Sequence, residues 1–417
     1  MTATLLGRSG DSFEASIRAQ ELPPGLLADR WLSLSELERT LFDTDACASG
    51  DVDLVLVPAD WLPRLAARGA IRALDPLLSA SPPQGWPEAW SSAFTDVVAF
   101  ASAEAISVEA TTGAGVWGLP FHDGPPLLVY RRDLFESPDE RRAYRERFGE
   151  DLVPARTWRD FERQASWFTR PDDDLFGTVF AGAPDGHNDV YDLVTQIRLR
   201  GGDVLDGRRP AFGGRAGVEA LAFLRRHLVE HPTVPPEAID LDSVHSGAAF
   251  AAGRVALMLN WAGYAHAAEG PGSRVAGRVG VALAPTADDG SATTVVNAFW
   301  ALAVTSGARH VEEAWAVARE CLSERGDLAT TRAGSSGTRL GTWRDPGILR
   351  RSPAFALFER AHENSRPLPM VEELPVLVAV LDDLYDRVVR RGEEAEGALE
   401  EAVAQATEAM ARDSADV

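Results

Sequence analysis

One pattern in the sequence matches a catalytic metal site. His227, Glu230 and His231 have the His-x-x-Glu-His spacing of some zinc proteases. Two histidines four residues apart share one face of a helix and can bind zinc, and the glutamate can activate a water molecule. Both histidines, however, end a predicted helix that stops before Pro232, where polar or positive side chains meet the negative end of the helix dipole. We therefore predict that this pattern stabilises a helix end, and that the protein uses no metal and no cofactor.

Other motifs of enzyme chemistry are missing from the sequence. It has no Gly-x-Ser-x-Gly nucleophile elbow, no phosphate-binding loop and no dinucleotide-binding glycine motif. All 41 basic residues are arginine, which excludes a Schiff-base lysine and a lysine general base. The glycines and serines at 334–337 predict a flexible turn. The 63 Asp and Glu residues are too many for the sequence to single out a catalytic pair.

Tryptophan is the residue type that most suggests a binding function. The chain has 11 Trp beside 5 Tyr. An indole ring packs against the apolar face of a sugar while neighbouring polar groups hydrogen-bond the sugar hydroxyls. The competing interpretation is that each ring is a core residue. Binding is favoured because several tryptophans lie near polar residues at strand ends, where open α/β sheets bind ligands, or in loops. They are Trp61, Trp117, Trp261, Trp300 and Trp343.

Strand and helix signals alternate along the chain and indicate in which elements these residues lie. Apolar runs predict strands at 3–6 and 53–57, with a helix after the second, which favours a largely parallel sheet with helices on its faces. Glycine and proline crowd the first half of 116–135, so we expect a crossover between lobes there. Thr157 is a predicted N-cap with Asp160 three residues on. A helix is predicted at 216–230, strands at 253–260, 277–285 and 298–306, and an acidic helical tail at the C-terminus.

Length and composition bound the class of protein. A chain of 417 residues exceeds what one hydrophobic core usually supports, which predicts two lobes. The net charge of -22 makes nucleic acid and anionic membrane surfaces poor partners. No apolar run approaches the roughly 20 residues of a membrane span. Cys47 and Cys321 lack metal-type spacing, and Cys321 falls in a helical pattern of core residues.

Six stretches carry a resemblance to a known family. They are 51–78 (beginning DVDLVLVPADW), 115–135 (GVWGLPFHDGPPLLVYRRDLF), 157–169 (TWRDFERQASWFT), 247–260 (GAAFAAGRVALMLN), 299–324 (beginning FWALAVTS) and 365–374 (SRPLPMVEEL). In this order and spacing the chain resembles the extracellular solute-binding proteins of sugar-type ABC transporters, the maltodextrin-binding class.

The resemblance implies an α/β fold of the type II periplasmic-binding-protein class. That fold has two lobes, a central mixed sheet in each lobe, three crossovers between the lobes and a helical C-terminus. The crossovers would fall near 119–124, 283–285 and 338–341. The N-lobe would comprise residues 1–121 and 284–340, and the C-lobe residues 122–283 and 341–417. The ligand would bind in the cleft between the lobes.

The resemblance also implies, position by position, which side chains contact the ligand. They follow strands, line crossovers or lie in a variable loop of the C-lobe. They are Asp60, Trp61, Phe121, His122, Asp123, His187, Asn188, Tyr191, Asn260, Trp261, Phe299, Trp300 and Arg339, with Arg8 and Asp11 as further candidates.

The predicted function is therefore to bind a ligand without catalysing a reaction. We expect a monomeric protein that closes its lobes around a small polar ligand, a mono- or oligosaccharide, for uptake through the membrane subunits of an ABC transporter. Two alternatives are a cytoplasmic ligand sensor and a glycan-acting enzyme that uses Asp60 and Asp123. The family implies a location outside the cytoplasm. Residues 1–16, however, have neither the basic start and apolar stretch of a secretory signal nor a lipid-anchoring cysteine. We therefore expect either a cytoplasmic protein or one whose export segment is missing from this version of the chain.

Overall fold

Strands and helices alternate along the chain. The computed structural model describes residues 1–101, 115–290 and 295–413. The strands are β1 (Ala3–Arg8), β2 (Leu27–Leu32), β3 (Leu54–Pro58), β4 (Ala99–Phe100), β5 (Gly115–Val116), β6 (Leu119–His122), β7 (Pro126–Arg131), β8 (Leu205–Asp206), β9 (Arg209–Pro210), β10 (Leu257–Trp261), β11 (Val279–Leu283) and β12 (Trp300–Val304).

The helices of the described ranges are mostly short. They are α1 (Asp11–Arg18), α2 (Leu34–Phe42), α3 (Leu62–Ala67), α4 (Asp75–Ala80), α5 (Ser92–Thr95), α6 (Arg132–Glu136), α7 (Pro138–Phe148), α8 (Trp158–Phe168), α9 (Asn188–Leu199), α10 (Gly214–Arg225), α11 (Ser243–Ala251), α12 (Ala262–Ala267), α13 (Val311–Cys321), α14 (Glu324–Arg332), α15 (Leu340–Trp343), α16 (Pro346–Arg351), α17 (Phe358–Glu363), α18 (Leu374–Tyr385) and α19 (Ala395–Asp413). Short 3₁₀ segments lie at Ala59–Trp61, Pro171–Asp173, Pro236–Asp240 and Pro353–Leu357, and π-helical turns at Arg226–Glu230 and Asp386–Arg390. No helix among these residues has the length and apolar character needed to span a membrane.

The chain divides into two compact units. The first comprises Met1–Gly124, Asn297–His362 and Pro367–Leu374, and the second comprises Pro125–Val296, Glu363–Arg366 and Pro375–Val417. The chain was predicted to pass between the lobes near residues 121, 283 and 340. It passes between these two units at 124, at 296 and between 362 and 375. Residues 341–362 group with the first unit, because Trp343 and His362 both pack on the ring of Phe94.

A five-stranded sheet forms the centre of the first unit. Its order is β2-β1-β3-β12-β6. The strand β1 pairs in parallel with β2 and β3, whereas β12 is antiparallel to β3 and β6. The central strand β3 is buried along its whole length, which explains its continuous apolar run. The predicted parallel start and the mixed character of this sheet are confirmed.

A buried carboxylate joins three segments of the first unit. Asp53, 1% exposed, accepts hydrogen bonds from the backbone N–H groups of Thr4 at 2.9 Å, Arg309 at 2.8 Å and His310 at 3.0 Å. Hydrogen bonds to an ionised acceptor are stronger than neutral ones. Asp53 thereby ties the start of β3 to β1 and to the segment before α13.

A three-stranded antiparallel sheet, in the order β10-β7-β11, forms the centre of the second unit. Among the described residues of this unit, parallel pairing occurs only as isolated bridges: Phe176 with Val255, just before β10, Thr157 with Thr286, just after β11, and Val296 with Arg366. The mixed pairing predicted for this lobe is therefore confined to these bridges. Residues 127–129 of β7 are fully buried between helices, which explains the apolar run LLV.

Several predicted elements of the second unit are confirmed. Thr157 caps α8: its hydroxyl accepts from the N–H of Asp160 at 3.2 Å, and the Asp160 carboxylate accepts from the N–H of Thr157 at 3.3 Å. The predicted helix at 216–230 is α10 continued by a π-helical turn. The predicted helical tail is α18 and α19.

We expect Asp53→Ala to lower the free energy of unfolding of the first unit by about 3 kcal/mol, since three backbone N–H groups lose their acceptor. Asp51→Ala, two residues earlier on the exposed surface, is the matched control and should change it by less than about 0.5 kcal/mol. Urea denaturation followed by tryptophan fluorescence measures both. Equal effects of the two substitutions would contradict the role assigned to Asp53.

Candidate functional site

A small cavity in the second unit brings together residues from α9, β10 and α11. Its volume is about 40 Å³, enough for water or a small polar group. Polar and aromatic side chains make up most of its wall. The lining residues are Pro126, Ala181, Asn188, Tyr191, Asp192, Thr195, Ser243, Ser246, Leu259, Asn260, Trp261, Val295 and Val296.

Helical and strand periodicity explain why these residues meet. Asn188, Tyr191, Asp192 and Thr195 are spaced i, i+3, i+4 and i+7, so they share one face of α9. Asn260 and Trp261 end β10, and β10 pairs with β7 so that Trp261 lies opposite Pro126. The buried strand therefore changes to polar residues where it reaches the cavity.

The ring of Trp261 is fixed from two sides. Its indole Nε1 donates a hydrogen bond to Oδ1 of Asn188 at 3.0 Å, and its backbone N–H donates to Oδ1 of Asn260 at 2.8 Å. Tyr191 packs edge-on against it, with ring centroids 5.9 Å apart at 86°. Asn260 is itself held, because its Nδ2 donates to the Ser243 carbonyl and the Ser246 hydroxyl, both at 3.1 Å. The cavity thus presents a rigid aromatic wall.

The structure brings four of the predicted residues together at this cavity, namely Asn188, Tyr191, Asn260 and Trp261. His187 lies beside them, with its ring 5.5 Å from that of Tyr191. Sequence reasoning missed Asp192, Thr195, Ser243 and Ser246. The spacing from Asn188 along α9 could have identified Asp192 and Thr195, whereas no sequence signal singles out the two serines.

A second cluster lies at one edge of the sheet in the first unit. Trp300, at the start of β12, is paired in register with His122 at the end of β6. Phe13 of α1 contacts both rings, at centroid distances of 4.7 Å from His122 and 4.6 Å from Trp300. The guanidinium of Arg8 lies 5.8 Å from the Trp300 ring. Trp300 and Arg8 are half-buried, so a ring and a cation together reach the surface of this unit.

His122 is neutral at physiological pH. Burial lowers its pKa to about 4, and Arg8 acts in the same direction against the opposing effect of Asp123. Its Nδ1 is hydrogen-bonded to the hydroxyl of Ser335 in the turn after α14. Ser335 was assigned only to a flexible turn by the sequence, so its contact with a predicted site residue is a new finding.

Strand alternation separates the predicted residues of β6 and β12 into two groups. Phe121 is 2% exposed and Phe299 is 1% exposed, and Phe299 packs on Phe94 at 4.8 Å. Their neighbours His122 and Trp300 point to the other side, since successive side chains of a strand alternate. Phe121 and Phe299 are therefore core residues in this structure, and they have no exposed surface to offer a ligand.

Three more predicted residues are engaged inside the first unit. Trp61 is buried against Phe42, with ring centroids 5.6 Å apart. Asp123 is buried and accepts a hydrogen bond at 2.8 Å from Nε2 of His362. Arg339 is buried and donates to the carbonyls at 84 and 322, at 2.7 and 2.9 Å. These contacts give the three side chains structural roles.

Asp60 is the remaining predicted residue, and it lies half-buried on the 3₁₀ turn after β3. The alternative of a glycan-acting enzyme needed both Asp60 and Asp123 to work on a substrate. The carboxylate of Asp123 is instead buried in its pair with His362. This arrangement leaves the enzyme hypothesis without its second carboxylate.

The zinc-protease pattern does not converge on one point. The π-helical turn at Arg226–Glu230 carries it, and His227 is buried with its Nδ1 2.8 Å from the Thr233 hydroxyl and its Nε2 3.3 Å from Glu162. Glu230 accepts from Arg225 at 2.9 Å instead. Within 1–101, 115–290 and 295–413, no three His, Cys, Asp or Glu side chains are grouped to hold a metal ion.

The comparison with known families identifies the class of protein. Residues 40–327 match the sequence profile of the bacterial extracellular solute-binding proteins. The match covers well over half of the chain, so the protein belongs to this family. Members of the family are binding proteins rather than enzymes, and they work with ABC-transporter permeases, which confirms the predicted family and the absence of a catalytic function.

Solved structures confirm the predicted two-lobed α/β fold. An ABC-transporter solute-binding protein from Agrobacterium radiobacter, in complex with ribitol, has a TM-score of 0.82 and 21% identity over 98% of both chains. The maltose-bound MalE3 of T. maritima has a TM-score of 0.80 and 20% identity, covering 97% of this chain and 98% of that one. A solute-binding protein from Agrobacterium vitis with bound D-mannitol has a TM-score of 0.77 and 19% identity over 99% of both chains.

The acidic residue of the cavity, Asp192, has a strongly perturbed pKa. Burial, helped by the nearby negative charge of Asp185, raises this pKa to about 8. The folded protein therefore holds a proton between about pH 4 and 8 that the unfolded chain has released. Because the unfolded state binds fewer protons in this range, the contribution of Asp192 to stability falls as the pH rises through it.

Asp192→Asn should therefore stabilise the protein at pH 8, by roughly 1 to 3 kcal/mol, and change its stability little at pH 4. Thermal unfolding at both pH values measures the difference. Asp172→Asn removes one exposed carboxylate from the same unit and should give no such pH-dependent gain. A gain from Asp192→Asn that is the same at both pH values would contradict the assigned cause.

Proposed function

We propose that this protein binds a small polyhydroxylated solute, a sugar or a polyol, and presents it to the membrane subunits of an ABC transporter. Membership of the solute-binding family supports capture and delivery. The fold neighbours with ribitol, maltose and D-mannitol bound support the class of solute. The expectation that capture involves lobe closure stays a prediction.

The observation that carries the proposal is the fixed indole of Trp261 beside polar groups at a cavity. A ring held in place has little rotational freedom to lose when a ligand packs on it, so more of the contact energy appears as affinity. Tyr191, Thr195 and Ser243 add an aromatic edge and hydroxyl groups to the same wall. An apolar platform bordered by hydrogen-bonding groups suits a carbohydrate, which has apolar C–H faces and a polar rim.

The cluster of Arg8, Phe13, His122 and Trp300 supports a second ligand contact, in the first unit. The Nε2 atom of neutral His122 can donate or accept one hydrogen bond while Nδ1 is hydrogen-bonded to Ser335. The Trp300 ring offers another apolar face, and Arg8 beside it offers charged donors. These groups supply the same combination of stacking and hydrogen bonding as the cavity in the second unit.

Calorimetry of the whole protein against a panel of sugars and polyols tests the proposal. We expect at least one compound to bind, and Trp261→Ala to weaken that binding about tenfold or more through loss of the stacked ring. Trp261→Phe should lose less, since it keeps an aromatic face. The matched control is Trp167→Ala in α8, whose ring packs on Tyr144 and Phe148 away from the cavity. The absence of binding to every compound would overturn the proposal.

Trp300→Ala provides an independent prediction for the first unit. It should weaken the binding of a sugar or polyol several-fold, to an extent comparable with one aromatic contact of about 1 kcal/mol. Trp86→Ala, in which the lost ring packs only on Trp90 among the described aromatic residues, should leave the dissociation constant unchanged. Unchanged affinity in both variants would show that the first-unit cluster does not contact the ligand.

A further inference from the structure

The cavity of the second unit contains one carboxyl group that no basic side chain of the cavity wall pairs with. Asp192 lines the cavity and makes no hydrogen bond or ion pair with another residue of the described ranges. None of the residues that line the cavity is Arg or His. Asp192 is half-buried, and a partly desolvated carboxylate is stabilised by a cation that reaches it from outside.

The charged groups around Asp192 do not supply that partner. On its own side, Asp185 precedes α9 and Asp189 lies one turn earlier in the helix. On α18, Asp382 accepts from the N–H of Gly186 at 3.0 Å and further raises the pKa of Asp189 beyond the effect of burial. The surroundings of the carboxylate are therefore acidic on both helices.

Arg390, an arginine near this cluster, is already paired. Arg390 lies close enough to Tyr385 of α18 to act on its phenol, yet burial and the charges of Asp192 and Asp189 raise the pKa of that phenol well above its ordinary value. Arg390 donates to Asp240 at 2.9 Å and pairs with Asp386 at 3.1 Å. Its charge is thus taken up outside the cavity.

We propose that the solute bound by this protein carries a protonated nitrogen, as in an amino-polyol or aminosugar, and that this ammonium group pairs with Asp192. The proposal rests on the proposed function and narrows its class of ligand. An ammonium group supplies both the missing positive charge and hydrogen-bond donors to the carboxylate. A hydroxyl group supplies a donor alone.

The aromatic side chains of the cavity wall give a separate reason to expect a cationic ligand. The rings of Trp261 and Tyr191 border the same cavity, and the electron-rich face of an aromatic ring attracts a cation. The cavity also suits the size of the group, since about 40 Å³ admits a terminal ammonium in place of water. The carboxyl group, the aromatic rings and the volume of the cavity therefore all favour an ammonium group at the end of the ligand.

Pairing with a cation has a measurable consequence for protons. The pKa of Asp192 is raised to about 8, so the empty site holds a proton at pH 7 for most of the time. A bound ammonium group favours the ionised carboxylate, and that proton is released to the buffer. A neutral polyol leaves the proton in place.

Matched pairs of compounds test the proposal on the whole protein. Three pairs differ in one terminal group, a primary amine in place of a hydroxyl, on ribitol, D-mannitol and D-glucitol. D-Glucosamine against D-glucose is a ring pair with the amine at C2. We expect the amine of at least one pair to bind about tenfold tighter at pH 7. Calorimetry in two buffers with different heats of ionisation should show proton release for the amine alone.

Asp192→Asn keeps the shape of the side chain and removes its ability to ionise. It should bring the two members of the pair within about threefold of each other and abolish proton release. Asp172→Asn removes an exposed carboxylate from the same unit and should leave the preference for the amine intact.

The outcomes separate the two proposals. If neutral sugars or polyols bind as tightly as their amines, and Asp192→Asn changes neither, the assignment of an amine is wrong while the proposed function stands. If no compound of either kind binds, both fail together.

Discussion

The buried amide of Asn260 holds together the wall of the cavity in the second unit. Its Nδ2 group donates to Ser243 and Ser246 of α11, and its Oδ1 accepts from the backbone of the next residue, Trp261. A buried amide that lost these partners would cost more than the bonds themselves contribute, so β10 and α11 keep one relative position. That position directs the Trp261 ring towards Asn188 on α9. The geometry of three elements thus follows from one side chain.

Much of the framework could be predicted because local rules and burial agree. The apolar runs of β3, β7 and β12 are strands buried in sheets, and Thr157 caps α8 with the expected partner, Asp160. The positions at which the chain passes from one unit to the other were harder to predict. A contact such as that between Trp343 and Phe94 joins residues about 250 positions apart in sequence. Sequence spacing carries no information on such long-range packing.

The candidate site was predicted in part, and the failures have physical causes. Positions taken from a family resemblance do not distinguish neighbouring residues, so Phe121 was named with His122, and Phe299 with Trp300. The two-residue period of a strand separates them, one into the core and one out of it. Asp192 was overlooked for the opposite reason, because an acidic residue on a helix usually belongs to a solvated face. Its burial and the charge of Asp185, seven residues earlier, raise its pKa and make it exceptional.

The immobilised indole of Trp261 also gives the molecule a built-in optical reporter. A ring held at both its nitrogen and its backbone reorients little, so its emission stays polarised, and a carboxyl group that gains or loses a proton nearby alters its intensity. The difference from a Trp261→Phe variant isolates this signal among the 11 tryptophans. Occupancy of the second unit can then be followed by light, in real time and without a label.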